Sequence, residues 1–186
     1  MKKINLHKKP LQIAVFGSGK RYQKSYSVAY EVGREIGKRG HILINGGLAG
    51  VMEASARGAK EENGLVIGIL PGDSFSDGNK YSVVKILTGM KFARNEITSL
   101  SVQGAIVIDG SSGAYQEARR VWEGRGPVVV IKDTGSKTGA ATTMIEREEK
   151  FGAAFPEEEP KPYHIFVAKN AKEAVDLVIN LIEQNP

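Results

Sequence analysis

The sequence has no cysteine, which excludes disulfides, Cys-ligated zinc, iron–sulfur clusters and thiol catalysis. Histidine is scarce: His7, His41 and His164 are scattered without ligand spacing, so no intrinsic metal is expected. Long apolar runs are missing as well. No stretch approaches the roughly 20 residues that cross a bilayer and no secretory leader is present, so a cytoplasmic protein without membrane partners is expected. Charge of one sign never accumulates: 26 Lys and Arg against 21 Asp and Glu leave a net +5. Only Lys2, Lys3, Lys8 and Lys9 form a fringe, read as a basic N-terminal tail over 1–10. No stripe of basic and aromatic residues stands out, so nucleic acid is not an expected partner.

What is present is an ordinary globular balance. The 186 residues are 41% apolar and 25% charged, enough for one core, and a single domain over 1–186 is expected. Short apolar runs predict strands over 11–16, 41–44, 65–70, 105–108, 128–131 and 165–167, with a β-prone stretch at 81–87. Amphipathic stretches predict helices over 25–38, 51–60, 92–102, 114–123, 142–150 and 171–183. Residues 74–80 read as a loop and 155–163 as an exposed connector. Continuous apolar strands separated by helices imply a mainly parallel sheet with helices on both faces. That is a doubly wound, Rossmann-like α/β fold.

Three predicted strands end in glycine-rich turns: Gly17-Ser18-Gly19, Asn45-Gly46-Gly47 with Gly50, and Gly110-Ser111-Ser112-Gly113 followed by Ala114. In an open parallel sheet such turns share the carboxyl edge, where ligands bind. Each turn leads into a helix, whose unpaired N–H groups and dipole favour an anion, and glycine admits a phosphate close to the backbone. One such turn is equally ordinary turn chemistry; three on one edge suggest a site for a small phosphorylated ligand. Gly19-Lys20 is not a P-loop, because Ala14 and Arg21 stand where glycine and Ser or Thr are required. The dinucleotide pattern G-x-G-x-x-G fails at Tyr22.

Two charged residues flank these turns. Glu117 follows Gly113 by four residues and is either a surface glutamate complementing a helix dipole or a carboxylate aimed into the cleft. Arg94 is either a solvated arginine or a group that clamps phosphate and lowers the pKa of a nearby carboxylate. Thr88 and Asn95 are further polar candidates on the same edge.

At these residues the sequence resembles the LOG-like superfamily, often labelled "possible lysine decarboxylase", and within it the molybdenum-cofactor-carrier-like and DprA-related nucleotide-binding proteins. The likeness covers about 12–131. Ile13-Ala14-Val15-Phe16-Gly17-Ser18 is similar to the family's first strand and phosphate turn, and 45–54 to its second glycine motif. Residues 68–71 and 88–95 are similar to the carrier-like branch. The hallmark PGGxGTxxE falls on 109–117, where Gly110, Gly113 and Glu117 survive while Asp109, Ser111 and Ala114 replace proline, glycine and threonine. Asn95 stands where a lysine usually follows the arginine.

The resemblance implies a nucleotide-binding Rossmann-like protein, usually a homo-oligomer (dimer or tetramer). It implies phosphate contacts from Gly17, Ser18, Gly46, Gly47, Gly50, Gly110, Ser111, Ser112, Gly113 and Ala114. The ligand is expected to be a nucleotide or a phosphorylated pterin-type cofactor, with the chain acting as a carrier-like binding protein. The alternative is the LOG activity, cleavage of the N-glycosidic bond of a nucleoside 5′-monophosphate. There Glu117 would stabilise positive charge on the ribose and Arg94 would anchor the phosphate or position Glu117, the two together being the catalytic residues. No pyridoxal-lysine context supports decarboxylation.

Overall fold

The computed structural model describes residues 9–124, 126–134, 139–146 and 165–184. They run in the order β1 (Gln12–Gly17), α1 (Gln23–Lys38), β2 (Ile42–Asn45), α2 (Val51–Glu61), β3 (Val66–Leu70), β4 (Val84–Leu87), α3 (Arg94–Leu100), β5 (Gly104–Ile108), α4 (Ser112–Trp122), β6 (Val128–Ile131), a helical segment α5 (140–146), β7 (Ile165–Ala168) and α6 (Ala171–Gln184). All neighbouring strands are parallel, in the order β4-β3-β2-β1-β5-β6-β7. The chain winds outward from β1 to β4, then returns to the other side of β1 as β5. The direction of winding therefore reverses between β1 and β5, and the connections leaving their carboxyl ends part there, opening a crevice.

Both faces of the sheet are covered, which explains the unbroken apolar runs. In β1, Ile13 and Val15 join Ile106, Ile108, Val32, Ile36 and Val178 in one layer, under α1, α2 and α6. Ala14 and Phe16 point the other way, with Val107, Val130, Ala118, Val121 and Met144 under α4 and α5. The sheet is Rossmann-like and doubly wound, as the pattern of runs predicts.

Several predicted elements differ at their ends, three of them for a local reason. The β-prone stretch 81–87 pairs as a strand only from Val84, because the N–H groups of Tyr81 and Ser82 both donate to Asn79 Oδ1 (3.0 Å each). The helix expected over 92–102 is a short 3₁₀ turn, Lys91–Ala93, followed by α3. It stops early where the Ser101 hydroxyl donates back to the Ile97 carbonyl (2.7 Å). α4 begins at Ser112 rather than 114, with the Ser111 carbonyl accepting the Tyr115 N–H (3.0 Å). The helix expected over 142–150 is helical at 140–146, and its remainder lies outside the described residues. So do the 155–163 connector and the basic tail up to residue 8. Among the described residues, no helix is long and apolar enough to cross a membrane.

Candidate functional site

β1, β2 and β5 deliver the three glycine turns to the same carboxyl edge, and there they touch. A Cβ added to Gly110 would stand 3.2 Å from the Gly17 Cα, and one on Gly50 would run into the Ser18 carbonyl. The Ser18 carbonyl in turn accepts the Val51 N–H that opens α2 (2.9 Å). Gly50 and Gly110 both sit at positive φ, 67° and 118°. The second turn is stapled by Asn45: its Oδ1 accepts the Gly47 N–H (2.8 Å) and its Nδ2 donates to the Met52 carbonyl (2.9 Å). Gly47 therefore shapes the turn with its amide already engaged. Ser18 likewise spends its hydroxyl locally, accepting the Lys20 N–H (3.0 Å). Ser111 and Ser112 are exposed at the start of α4, where Ser111 makes no side-chain cap bond, and α2 begins at Gly50 without one. Neither helix start has a side-chain cap, and the first N–H of α2 is already taken by the Ser18 carbonyl.

Arg94 links these turns to α4. It is the first residue of α3, and α3 packs on α4, so its guanidinium is buried with the Glu117 carboxylate: each side chain is only 9% exposed. Nη1 donates to Glu117 Oε1 and to Thr98 Oγ1 (3.2 Å). Nη2 lies where a Cβ on Gly46 would have to go, so glycine at 46 is the space the guanidinium fills. Nε, buried, makes no hydrogen bond. The guanidinium thus keeps one donor without an acceptor, although its charge is paired with Glu117.

Burial sets the chemistry of Glu117. Removal from water pushes its carboxyl from 4.5 up to about 7, although Arg94 pulls in the other direction. The Ser99 hydroxyl lies 3.0 Å from the Glu117 backbone carbonyl and 2.9 Å from that of Asn95, tying α3 to α4 behind the pair.

Of the other predicted residues, Asn95 is buried beside the third turn, its Nδ2 3.9 Å from the Cβ position of Gly113. Ala114 packs its methyl under Gly110. Thr88 is spent on its own loop, donating to the Leu70 carbonyl (2.7 Å) and accepting the Met90 N–H (3.2 Å). Sequence reasoning missed the supporting roles of Asn45, Thr98 and Ser99. Only Thr98 had a readable signal, its helical i,i+4 spacing from Arg94. On the far side of the third turn, between the ends of β5 and β6, a cavity of about 390 Å³ includes Asp109 and excludes Arg94 and Glu117. Among the described residues, no group of three or more His, Asp or Glu side chains gathers to hold a metal ion.

The sheet order defines a Rossmann-like fold, related to those of LOG-like and molybdenum-cofactor-carrier proteins. The SLOG cluster4 family model matches residues 10–164, and the chain belongs to that family. It is 43% identical over 129 residues to an uncharacterized protein of Archaeoglobus fulgidus, covering 66% of this chain and 85% of that one. Among solved structures it is similar to the molybdenum cofactor binding protein of Rippkaea orientalis (TM-score 0.77, 26% identity, 95% of this chain and 99% of that one). It is similar also to the Moco carrier protein of Chlamydomonas reinhardtii (TM-score 0.76, 27% identity, 95% and 99%). The DNA processing protein A of Helicobacter pylori shares the fold alone (TM-score 0.69, 15% identity, 97% and 84%).

Proposed function

We propose that the chain binds a nucleotide or another phosphorylated cofactor, with the phosphoryl group at the meeting point of the three glycine turns. The observation that carries this reading is Arg94: a buried guanidinium, packed on Gly46, whose Nε has no acceptor. The start of α4, which has no side-chain cap, adds backbone N–H groups, and both helices add favourable dipoles. A phosphoryl oxygen supplies what these donors lack. The similarity to a molybdenum cofactor binding protein and to a Moco carrier supports a pterin-type ligand, carried as cargo by its phosphate.

Carriage fits the residues better than turnover. Ser111 and Ala114 have lost the glycine and threonine of the hallmark motif, and Glu117 is committed to Arg94 inside the protein. Calorimetric unfolding of the full chain with nucleoside monophosphates and pterin phosphates tests the reading. A ligand at a hundred times its Kd adds about 2.7 kcal/mol, and no stabilisation by any of them at millimolar concentration defeats it.

One observation favours a second reading, phosphoribohydrolysis: the paired Arg94 and Glu117, with the carboxyl near 7, match the requirement for an acid–base group that titrates at working pH. On that reading AMP is cleaved to adenine and ribose 5-phosphate, and Glu117→Ala abolishes base release; unchanged release in the variant excludes Glu117. Assembly as a dimer or tetramer is part of the proposal. Phe92 is 82% exposed, and Phe75, with Val84 and Ile86 of the edge strand β4, is also bare. Light scattering showing a monomer at micromolar concentration would contradict it.

A further inference from the structure

The cavity between the ends of β5 and β6 plays no part in the anion site, yet it adjoins it. Asp109 is in its lining, and the next residue, Gly110, begins the third glycine turn. Ile131, Ala141 and Ile145 give the cavity one apolar side, Lys132, Asp133 and Glu146 add charge beside Asp109, and its volume of about 390 Å³ lies in the range of small-molecule pockets. Asp109 is only 4% exposed. Among the described residues, no donor meets its carboxylate. The Thr134 hydroxyl, which shares the cavity, donates instead to the Ile131 carbonyl (3.0 Å). The Asp109 carboxylate is therefore left to pair with what enters the cavity, which it shares with Lys132 and Thr142.

A carboxylate has only acceptors, so its best partner presents two N–H groups side by side. Among common heterocycles attached to phosphates, that edge is the 2-amino-4-oxo edge: N1–H and the 2-amino group of guanine, or the equivalent pair of a pterin. Adenine offers an amino donor next to a ring-nitrogen lone pair, which the carboxylate repels. The apolar side suits a face of a flat bicyclic ring. Asp109 of the cavity and Gly110 of the third turn are consecutive, so the two places share one stretch of chain.

We propose that this cavity takes the heterocycle of the ligand and that Asp109 selects a ring bearing the 2-amino-4-oxo edge. The inference rests on the phosphate reading above and deepens it. Titration calorimetry on the full chain compares GMP, IMP, AMP, a phosphomethyl pterin and ribose 5-phosphate. GMP or the pterin phosphate binds at least tenfold tighter than AMP, and IMP, which keeps N1–H but lacks the amino group, falls between. Whichever of GMP and the pterin phosphate is tighter identifies the ring.

Asp109→Asn and Asp109→Gly both accept the left-handed backbone at this position (φ 55°). Each brings the GMP-to-AMP ratio to within about twofold and leaves ribose 5-phosphate affinity unchanged. Equal affinity for AMP, GMP and the pterin phosphate overturns the assignment of the ring while the phosphate site stands. So does a preference that survives in both variants. If ribose 5-phosphate and all the others fail to bind, the phosphate reading itself falls.

Discussion

Replacing Glu117 by glutamine tests the buried pair through the pH dependence of stability. The two side chains have the same shape, so packing between α3 and α4 is retained and only the titration is lost. Burial raises the Glu117 carboxyl from 4.5 to about 7, so the folded chain holds this proton at pH values where the unfolded chain has released it. The associated stabilisation is complete below 4.5 and is lost as pH rises through about 7. At about 1.4 kcal/mol for each pH step, that interval amounts to roughly 3 kcal/mol. Every other group titrates alike in both proteins and cancels in the difference. Urea unfolding of both proteins from pH 4.5 to 8 should therefore show the Gln variant gaining on the native chain by about 3 kcal/mol as pH rises. In melting temperature this is about 6–12 °C for a chain of this length. A flat difference would refute the claim that desolvation dominates. A difference of opposite sign would mean that the Arg94 charge wins and holds Glu117 ionised well below neutrality.

Two glycine substitutions separate structure from binding. Gly17→Ala drives a methyl into the Ile108 carbonyl and to 2.7 Å from Val51 Cγ1, and the β5 backbone cannot yield. A loss of about 2–3 kcal/mol is expected, read as a fall in urea midpoint. Gly46→Ala meets side-chain atoms instead, the buried Arg94 guanidinium (Cζ at 2.8 Å) and Met52 Sδ (2.9 Å), so its stability loss of about 3 kcal/mol comes from disturbing the Arg94–Glu117 pair rather than from the backbone. The displaced guanidinium costs at least tenfold in ribose 5-phosphate affinity by calorimetry, while folded Gly17→Ala protein keeps its affinity within about threefold; equal losses of binding in the two variants would contradict the placement.

The central sheet was legible because burial on both faces writes itself as unbroken runs such as Ala105–Ile108 and Val128–Ile131, each closed by a turn. The shared edge of glycine turns was legible because close approaches demand glycine, of backbone at Gly17 and Gly110 and of the Arg94 guanidinium at Gly46. Elements whose ends are decided by side-chain competition were not. Asn79 takes the N–H groups that would have lengthened β4, and Ser101 helps to end α3. Arg94 and Glu117 could be named from sequence, but their contact depends on α3 packing against α4, a tertiary event that local spacing does not encode. The same packing converts Glu117 from a possible surface residue into one with a strongly raised pKa. Asn45 reads as an ordinary turn residue until its carboxamide is seen joining β2 to α2.

The most direct measurement is a crystal structure of the full chain grown with ribose 5-phosphate. Density for the phosphoryl group should lie within hydrogen-bond reach of Arg94 and of the backbone at the start of α4, with Gly46 and Gly17 against it. Phosphate bound elsewhere on the surface, with the Arg94 Nε still alone, would contradict a common anion site built from the three turns.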